Sequence, residues 1–276
     1  MKNVHADQAK NTKNAVANKE IDLLLLAAGF ATRLEPLTLN QPKHLLETKS
    51  GRFVDPLIDQ LQKSSLRFSK KVLITNDRYF DRFVSWQKES SFKLDIYKDG
   101  VSSKENRIGA VGDLLFAIDR AKIKNNLLVL AMDYIYKDFK FDDFISFARG
   151  KNSSAIVIRQ ESDISQIKAG SCVLADKDSK VTRFEEKPSE PFSDLYGVPY
   201  YFINKEDLPL LKKIDKKLHD NPGQIASKIY QASNLYAFRS DGEYFHMTTK
   251  EDYERIKGYC QVKSYYFPRP LKKSTK

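Results

Sequence analysis

The segment IDLLLLAAG, residues 21–29, constrains the fold more than any other part of the chain. Its apolar run is continuous, is only the length of one strand and ends at Gly29, which is typical of a strand buried on both faces. A second run of this kind, NLLVLAMD, covers residues 126–133. Such strands belong to parallel sheets with helices on either side. The sequence therefore predicts an α/β fold with a doubly wound, mostly parallel, Rossmann-like sheet.

The rest of the chain alternates helix-like and strand-like segments. Apolar residues recur at helical spacing in residues 55–66, 78–89 and 109–121, and strand-like runs at 70–75 and 92–97 lie between these segments. The second half is more mixed, with several strands of moderate length. This pattern predicts a smaller mixed β region that faces the substrate.

No internal repeat or low-complexity linker divides the sequence. We therefore expect a single domain over residues 21–260. A flexible polar leader is predicted for residues 1–20, and a basic C-terminal tail for residues 261–276.

The formal net charge of +11 raises the question of a nucleic-acid partner. Residues 1–20 carry a net charge of +2 and residues 261–276 carry +5, so the two ends hold most of the excess. Solvated tails are the simpler interpretation, and nucleic-acid binding through them is the weaker one. No apolar run approaches the roughly eighteen residues of a membrane span. The two widely spaced cysteines favour neither a disulfide framework nor a zinc site, which indicates a cytoplasmic protein.

The loop after the first strand carries the clearest chemical signal. Ala27, Ala28 and Gly29 are small enough for a ligand to approach the backbone, and Arg33 and Lys43 supply two cations. In a doubly wound sheet, ligands bind outside the carboxyl ends of the strands, where backbone N–H groups can hold phosphate oxygens. The loop therefore suits a polyphosphate, although an ordinary connection with two surface cations would have the same composition.

The full stretch LAAGFATRLEPLTLNQPKHLL, residues 26–46, resembles the signature of the sugar-phosphate nucleotidyltransferases, the family of the nucleoside-diphosphate-sugar pyrophosphorylases. Its one departure is Ala31, which stands where the family has a second glycine. Gly109, in the segment ENRIGAVGDLLFAI, lies in a stretch that resembles the part of the family that lines the nucleotide base. The resemblance implies a nucleotide site formed by Leu26, Ala27, Ala28, Gly29, Thr32, Arg33 and Gly109.

Three later segments resemble the family in the same order along the chain. LLVLAMDYIY places Asp133 where the family has a metal-binding aspartate, and VTRFEEKP resembles its EKP motif. By that resemblance Glu186 and Lys187 would bind the acceptor, Glu186 its sugar or alcohol part and Lys187 its phosphate. EYFHMTTKEDYERI aligns His246 with the second metal-binding aspartate of the family.

The resemblance implies an enzyme that joins a nucleoside triphosphate to a sugar 1-phosphate or a related phosphomonoester and releases pyrophosphate. Arg33, Lys43 and Lys187 would be its catalytic residues, and Mg²⁺ its cofactor, with Mn²⁺ as an alternative. The second pKa of a phosphomonoester is about 6, so the attacking phosphate is largely dianionic at neutral pH and needs no general base. Positioning and charge neutralisation would then be the main tasks of the site.

The metal site departs most from the family. Imidazole is a poor ligand for Mg²⁺, so His246 either retains a metal contact for a softer ion or has no catalytic part. Met132 stands where glycine is usual and would crowd the place where nucleotide and acceptor meet. Asp113 and Asp252 are expected at helix ends or on the surface. The rival hypothesis is a catalytically weakened member that serves as a nucleotide-binding or regulatory module.

Three properties stay open at the level of sequence. The base could be any of several, because backbone groups near Ala28 and Gly109 can serve different bases. The acceptor could be a hexose 1-phosphate or a phosphocholine-like alcohol. The protein could act alone or as an oligomer.

Overall fold

The computed structural model describes residues 20–49 and 51–259. The predicted leader, apart from residue 20, and the predicted basic tail lie outside these residues. The α-helices of the described residues are α1 (Asp55–Lys63), α2 (Phe80–Glu89), α3 (Gly109–Arg120), α4 (Phe141–Lys151), α5 (Ile164–Ala169), α6 (Leu208–Leu211), α7 (Gln224–Ala232) and α8 (Lys250–Tyr259). The strands are β1 (Ile21–Leu26), β2 (Glu47–Thr48), β3 (Gly51–Arg52), β4 (Phe68–Thr75), β5 (Asp95–Lys98), β6 (Leu127–Ala131), β7 (Tyr134–Tyr136), β8 (Ser154–Gln160), β9 (Ser171–Ala175), β10 (Val181–Glu186), β11 (Leu195–Ile203), β12 (Leu235–Arg239) and β13 (Tyr244–His246).

Nine of the strands form one continuous sheet with a parallel half and a mixed half. Its main path runs in the order β10-β9-β11-β6-β1-β4-β5, and β8 joins β12 to β11. The run β6-β1-β4-β5 is parallel throughout. Strand β11 is antiparallel to β6, β8 and β9. The predicted doubly wound α/β fold with a smaller mixed β region is therefore confirmed.

Two short sheets lie beside the large one. Strands β2 and β3 pair, as do β7 and β13. The second of these pairs brings His246 opposite Tyr134, across more than 100 residues of chain.

The central position of strand β1 explains its unbroken apolar run from Leu23 to Leu26. Leu23 and Leu25 pack into the core on one face of the sheet, whereas Leu24 and Leu26 pack into the core on the other face. Side chains alternate between the two faces of a strand, so a strand covered on both sides needs apolar residues at every position. The continuous run follows from this central place.

The carboxyl ends of β1 and β6 meet at the same edge of the sheet. Leu26 is in register with Ala131, and Met132 N donates a hydrogen bond of 3.2 Å to Leu26 O. The loop that begins at Ala27 and the carboxylate of Asp133 therefore lie at neighbouring strand ends, where ligands bind in doubly wound sheets.

Within residues 20–49 and 51–259, no helix is both long enough and apolar enough to cross a bilayer.

Candidate active site

A cavity of about 460 Å³ opens at the carboxyl ends of the central strands. It is lined by ten of the residues predicted from sequence, namely Leu26, Ala27, Ala28, Gly29, Lys43, Gly109, Asp133, Glu186, Lys187 and His246. Segments from both halves of the sheet contribute to its wall. Chemistry-bearing residues that are far apart in the chain therefore share one concave site.

The loop after β1 is held in place by buried polar side chains. Asn76 Nδ2 donates a hydrogen bond of 2.8 Å to Ala28 O. The Tyr79 hydroxyl lies 2.9 Å from Phe30 O and 2.6 Å from Thr38 O, and Thr38 Oγ1 donates a 2.9 Å hydrogen bond to Ala31 O. Thr38, the second threonine of the signature, therefore fixes the loop and does not line the cavity.

Ala31 occupies a backbone conformation that glycine favours. Its φ is 50° and its ψ is 41°, in the left-handed region. An alanine there costs roughly 1–2 kcal/mol because its Cβ approaches the following carbonyl oxygen. A glycine would suit this position, and the chain adopts the left-handed conformation with an alanine.

Arg33 and Thr32 lie outside the cavity wall. Both belong to a single turn of 3-10 helix, Thr32–Leu34, and the Arg33 side chain is exposed. Lys104 Nζ donates a 3.4 Å hydrogen bond to Thr32 Oγ1, so a further cation stands near this turn. The guanidinium of Arg33 therefore does not contact the interior of the cavity in this conformation.

Lys43 and Asp133 form an ion pair in the wall of the cavity. Lys43 Nζ donates a hydrogen bond of 2.8 Å to Asp133 Oδ2 and another of 3.1 Å to Met247 O. Burial is the largest single influence and opposes ionisation of the carboxyl, but the charge and the hydrogen bond of Lys43, together with smaller contributions from His246 and His44, outweigh it and hold the pKa of Asp133 well below its usual range. Asp133 is therefore ionised, and about a quarter of its side chain remains exposed to the cavity.

Two histidines flank this ion pair. His246 Nε2 lies 3.8 Å from Asp133 Oδ2, and its ring stacks on Tyr134 with 3.9 Å between ring centroids. Burial lowers the pKa of His246, so its imidazole is neutral at physiological pH. His44, buried beside Lys43, has its pKa lowered to about 3 by burial and by the lysine charge. His44 was not among the residues predicted from sequence.

The possible ligands around Asp133 suit a metal ion that binds together with the phosphates of a substrate. Within residues 20–49 and 51–259, no group of three or more His, Cys, Asp or Glu side chains could hold a metal ion by itself. Mg²⁺ usually keeps several waters and is held by one or two carboxylates together with substrate phosphates. An ionised Asp133 meets that requirement, and neutral His246 offers a nitrogen ligand that a softer ion such as Mn²⁺ accepts more readily.

Glu186 and Lys187 line the cavity at the end of strand β10. Ser171 Oγ donates a hydrogen bond of 2.5 Å to Glu186 Oε2, and burial raises the pKa of Glu186. Lys187 Nζ donates to Asn221 Oδ1. A Cβ at Gly223 would lie 1.8 Å from Glu186 Oε2, so only glycine permits this close approach. The predicted acceptor residues are therefore held by a segment that sequence reasoning assigned no role.

That segment, residues 219–223, also packs against the start of α3. Val111 N donates a hydrogen bond of 2.9 Å to His219 O. Arg107 donates two hydrogen bonds to the Asp220 carboxylate, at 2.9 and 2.6 Å. Gly109 has φ +77°, and a Cβ there would lie 2.5 Å from the backbone of His219. These contacts close one side of the cavity across more than 100 residues of chain.

Three sequence-based expectations about individual residues have different outcomes. The expectation that Asp113 lies at a helix end or on the surface is wrong, because this side chain is buried within α3 and lines the cavity. Asp252 does cap a helix, since its carboxylate accepts hydrogen bonds from the backbone N–H groups of Thr248 and Thr249. Met132 does not crowd the cavity, because its side chain is fully buried in the core.

Charges of both signs line the cavity. Lys43, Arg107 and Lys187 are cations of its wall, and Asp133, Glu186 and Asp220 are among its carboxyl groups. Phosphate groups are attracted to cations and repelled by carboxylates. The two lysines, Lys43 and Lys187, are therefore candidate contacts for substrate phosphates.

Comparison with known proteins gives one family match. The sequence model of a family described as nucleotidyl transferase matches residues 23–253.

Several curated proteins are similar to the chain over most of its length. A putative mannose-1-phosphate guanyltransferase of Sulfolobus acidocaldarius is 28% identical over 200 residues, which cover 71% of this chain and 51% of the relative. A probable mannose-1-phosphate guanylyltransferase 1 of Oryza sativa subsp. japonica is 25% identical over 232 residues, covering 83% of this chain and 62% of the relative. The chain thus spans about half to three fifths of the length of these relatives.

Solved structures share the fold. A putative glucose-1-phosphate thymidylyltransferase from Bacillus anthracis, in complex with a sucrose, superposes with a TM-score of 0.70 at 18% identity and covers 86% of this chain and 94% of that chain. A UDP-glucose pyrophosphorylase complexed with UDP-glucose gives a TM-score of 0.71 at 14% identity, with coverage of 87% and 98%.

Proposed function

The chain belongs to the nucleotidyl transferase family, and on that premise we propose that it condenses a nucleoside triphosphate with a sugar 1-phosphate, giving a nucleoside-diphosphate sugar and pyrophosphate. The observation that carries this proposal is the 2.8 Å ion pair between Lys43 and Asp133 in the wall of the cavity. It joins a phosphate-binding cation and a metal-binding carboxylate at the end of a central strand.

The reaction is an in-line displacement at the α-phosphorus. An oxygen of the acceptor phosphate forms a bond to this phosphorus while the bond from the phosphorus to the oxygen bridging the α- and β-phosphates breaks, and pyrophosphate leaves with that oxygen. The acceptor phosphate is already largely dianionic, so no proton has to be removed from it. Positioning and charge neutralisation then lower the barrier.

The cations of the site have separate tasks in this proposal. Lys43 neutralises charge at the α-phosphate, and Lys187 binds the acceptor phosphate beside Asn221. Glu186 accepts a hydrogen bond from a sugar hydroxyl with the carboxylate oxygen that Ser171 does not occupy. Arg33 reaches the β- and γ-phosphates from the mouth of the cavity, where Lys104 adds a second positive charge.

Asp133 would hold a divalent ion, Mg²⁺ in the first instance, together with the nucleotide phosphates. The ion would supply further neutralisation of phosphate charge. His246 is the group that would bias the choice of ion towards Mn²⁺.

The first substrates to test follow from the relatives, which are named as mannose-1-phosphate guanylyltransferases. GTP and mannose 1-phosphate are therefore the leading pair, and glucose 1-phosphate and the other nucleoside triphosphates complete the panel. We place the reaction in the cytoplasm, where nucleoside triphosphates are made, and we expect one domain over residues 21–260 to carry it.

The experiment is a pyrophosphate-release assay with purified protein, each nucleotide and each acceptor, in Mg²⁺ and separately in Mn²⁺. Acceptor-dependent release with at least one pair supports the proposal. Release without acceptor would indicate simple hydrolysis and would contradict it.

A binding or regulatory role is the second candidate. It is favoured by one observation, the imidazole of His246 at the place where a second carboxylate would complete the metal site. In that case nucleotides bind to the protein, but the whole acceptor panel gives no pyrophosphate.

Replacing Arg33 with Ala is expected to lower turnover by roughly 10²–10³-fold, the usual effect of removing one group that stabilises transition-state charge. The side chain is exposed, so the fold should be unaffected. Steady-state pyrophosphate release measures the effect, and Arg120→Ala, at the far end of α3, is the matched control. Full activity of Arg33→Ala would remove Arg33 from the catalytic set.

Replacing His246 with Asp is expected to raise the ratio of activity in Mg²⁺ to activity in Mn²⁺ by about tenfold, because a second carboxylate favours the harder ion. The His246→Asn variant is the control, since it removes the imidazole without adding a charge. An unchanged ratio in both variants would show that position 246 does not contact the ion.

A further inference from the structure

The backbone of Met247 contacts both residues of the ion pair. Met247 directly follows strand β13, and its N–H group donates a hydrogen bond of 3.2 Å to Asp133 O. Its carbonyl oxygen accepts a hydrogen bond of 3.1 Å from Lys43 Nζ. The Met247 side chain is fully buried in the core. Met247 therefore holds the ion pair through backbone atoms alone.

These contacts decide how the ammonium group of Lys43 is oriented. A lysine ammonium group has three N–H donors, and it lies at the end of a flexible stem of four carbon atoms. In the part of the chain that the structure describes, Asp133 Oδ2 and Met247 O each accept a hydrogen bond from this group, at 2.8 and 3.1 Å. The third donor is left for a phosphate oxygen of the substrate, and the two fixed acceptors determine its direction.

Asp252 holds the two residues that follow Met247. Its Oδ2 accepts hydrogen bonds from Thr248 N at 3.0 Å, from Thr248 Oγ1 at 2.6 Å and from Thr249 N at 2.9 Å. In return, Asp252 N donates a hydrogen bond of 3.2 Å to Thr249 Oγ1. The reciprocal bonds between Thr249 and Asp252 form a capping box at the start of α8. The two bonds from Thr248 are additional, since a capping box does not need them.

The peptide group between Met247 and Thr248 links Asp252 to Lys43. A trans peptide group is planar, so its C=O and its N–H point in opposite directions. The N–H of this group donates to Asp252, and its C=O accepts from Lys43. Rotation of the plane would break both hydrogen bonds. Asp252, which does not itself line the cavity, therefore fixes the direction of the carbonyl group that Lys43 contacts.

We propose that Asp252 is a positioning residue for nucleotidyl transfer. It holds the peptide group between Met247 and Thr248 so that the third donor of Lys43 points to the substrate phosphate. This inference rests on the proposed function, because it takes Lys43 as the cation that neutralises charge at the α-phosphate. An error of about 1 Å in the position of such a group can lower a rate by about 100-fold, so a contact outside the cavity has a measurable effect on turnover.

The first test compares Asp252→Ala with Thr249→Ala in the pyrophosphate-release assay. Each variant loses half of the capping box, and each should lower Tm by about 2–4 °C. Only Asp252→Ala removes the acceptor of Thr248 N, so only this variant should lower kcat, by about tenfold. Asp252→Asn, whose amide oxygen can still accept from Thr248 N, should recover most of the lost rate. Equal losses of kcat in Asp252→Ala and Thr249→Ala would mean that Asp252 only caps α8.

The second test adds Asp252→Ala to the Lys43→Ala variant. If Asp252 acts through Lys43, its replacement causes no further loss of kcat once the lysine is absent, because the two changes remove the same interaction. A purely structural role would lower kcat by the same factor in both backgrounds. A loss that persists in the Lys43→Ala background overturns the inference.

The third test does not depend on activity. Limiting acetic anhydride acetylates lysine amines, and mass spectrometry gives the rate at Lys43 relative to the exposed Lys88. This ratio should rise by about fivefold in Asp252→Ala, the size of one lost hydrogen bond, and stay unchanged in Thr249→Ala. An unchanged ratio in Asp252→Ala overturns the inference and leaves nucleotidyl transfer standing. A raised ratio, in a protein that releases no pyrophosphate with any acceptor, supports the link between Asp252 and Lys43 and overturns the proposed function.

Discussion

Replacing Lys43 with Ala lowers the rate of acceptor-dependent pyrophosphate release by roughly 10²–10³-fold. Lys43 is a cation of the cavity wall, 2.8 Å from Asp133 Oδ2 and anchored by Met247 O. In the variant, negative charge that develops around the α-phosphorus meets the Asp133 carboxylate without its neutralising partner. Electrostatic repulsion then opposes the reaction where stabilisation is needed.

Removing Lys43 also leaves Asp133 without its ion-pair partner, so some loss of stability is expected beside the loss of turnover. Steady-state kinetics and circular dichroism of the variant measure the two properties separately. Lys88→Ala is the control, because Lys88 is an exposed lysine on α2. A Lys43→Ala variant that keeps more than a tenth of the original rate would show that the ion pair is structural.

Replacing Gly109 with Ala is expected to destabilise the protein by roughly 3 kcal/mol, because left-handed backbone strain and a steric clash act together. The new Cβ would lie 2.5 Å from His219 C and 2.7 Å from Asp220 N, which are backbone atoms that cannot rotate away. The segment at residues 219–223 must then move, and it carries the contacts to Glu186 and Lys187. Nucleotidyl transfer should fall together with stability.

Gly100→Ala is the matched control for Gly109→Ala. Gly100 has a φ of +84°, but no atom lies within 4 Å of its added Cβ, so only the backbone strain remains. Thermal unfolding should show a fall in Tm of about 2–4 °C per kcal/mol for a chain of this size. Equal shifts in the two variants would mean that the contact between α3 and His219 is not tight.

Local sequence patterns predicted the central strands of the fold, because the burial of a strand is visible in its own residues. The apolar runs gave β1 and β6 because a strand covered on both faces needs apolar residues throughout. The helix α4 was missed, although Phe141, Phe144, Ile145 and Ala148 follow helical spacing and are buried. The pairing of β7 with β13 had no local signal, because it joins residues more than 100 positions apart.

Some residues of the site were likewise predicted from sequence, and others were not. The resemblance to a known signature led to Lys43, Asp133 and the Ala28–Gly29 turn, all of which line the cavity. His44, Asp99 and Asp220 were not anticipated, since each becomes significant only through neighbours that the fold supplies. Asp113 was expected at a helix end or on the surface because carboxylates are usually solvated, whereas here its side chain is buried.

The hydrogen bonds from Asn76, Tyr79 and Thr38 have a consequence for the thermodynamics of nucleotide capture. Fixing one backbone residue costs about 1–2 kcal/mol of conformational entropy, and a loop that ordered only around its ligand would lose that amount at several positions. Here folding has already restricted the turn from Ala28 to Ala31. Little of the favourable binding energy from the phosphate contacts is therefore spent on ordering this turn. The nucleotide can also bind without waiting for the turn to form.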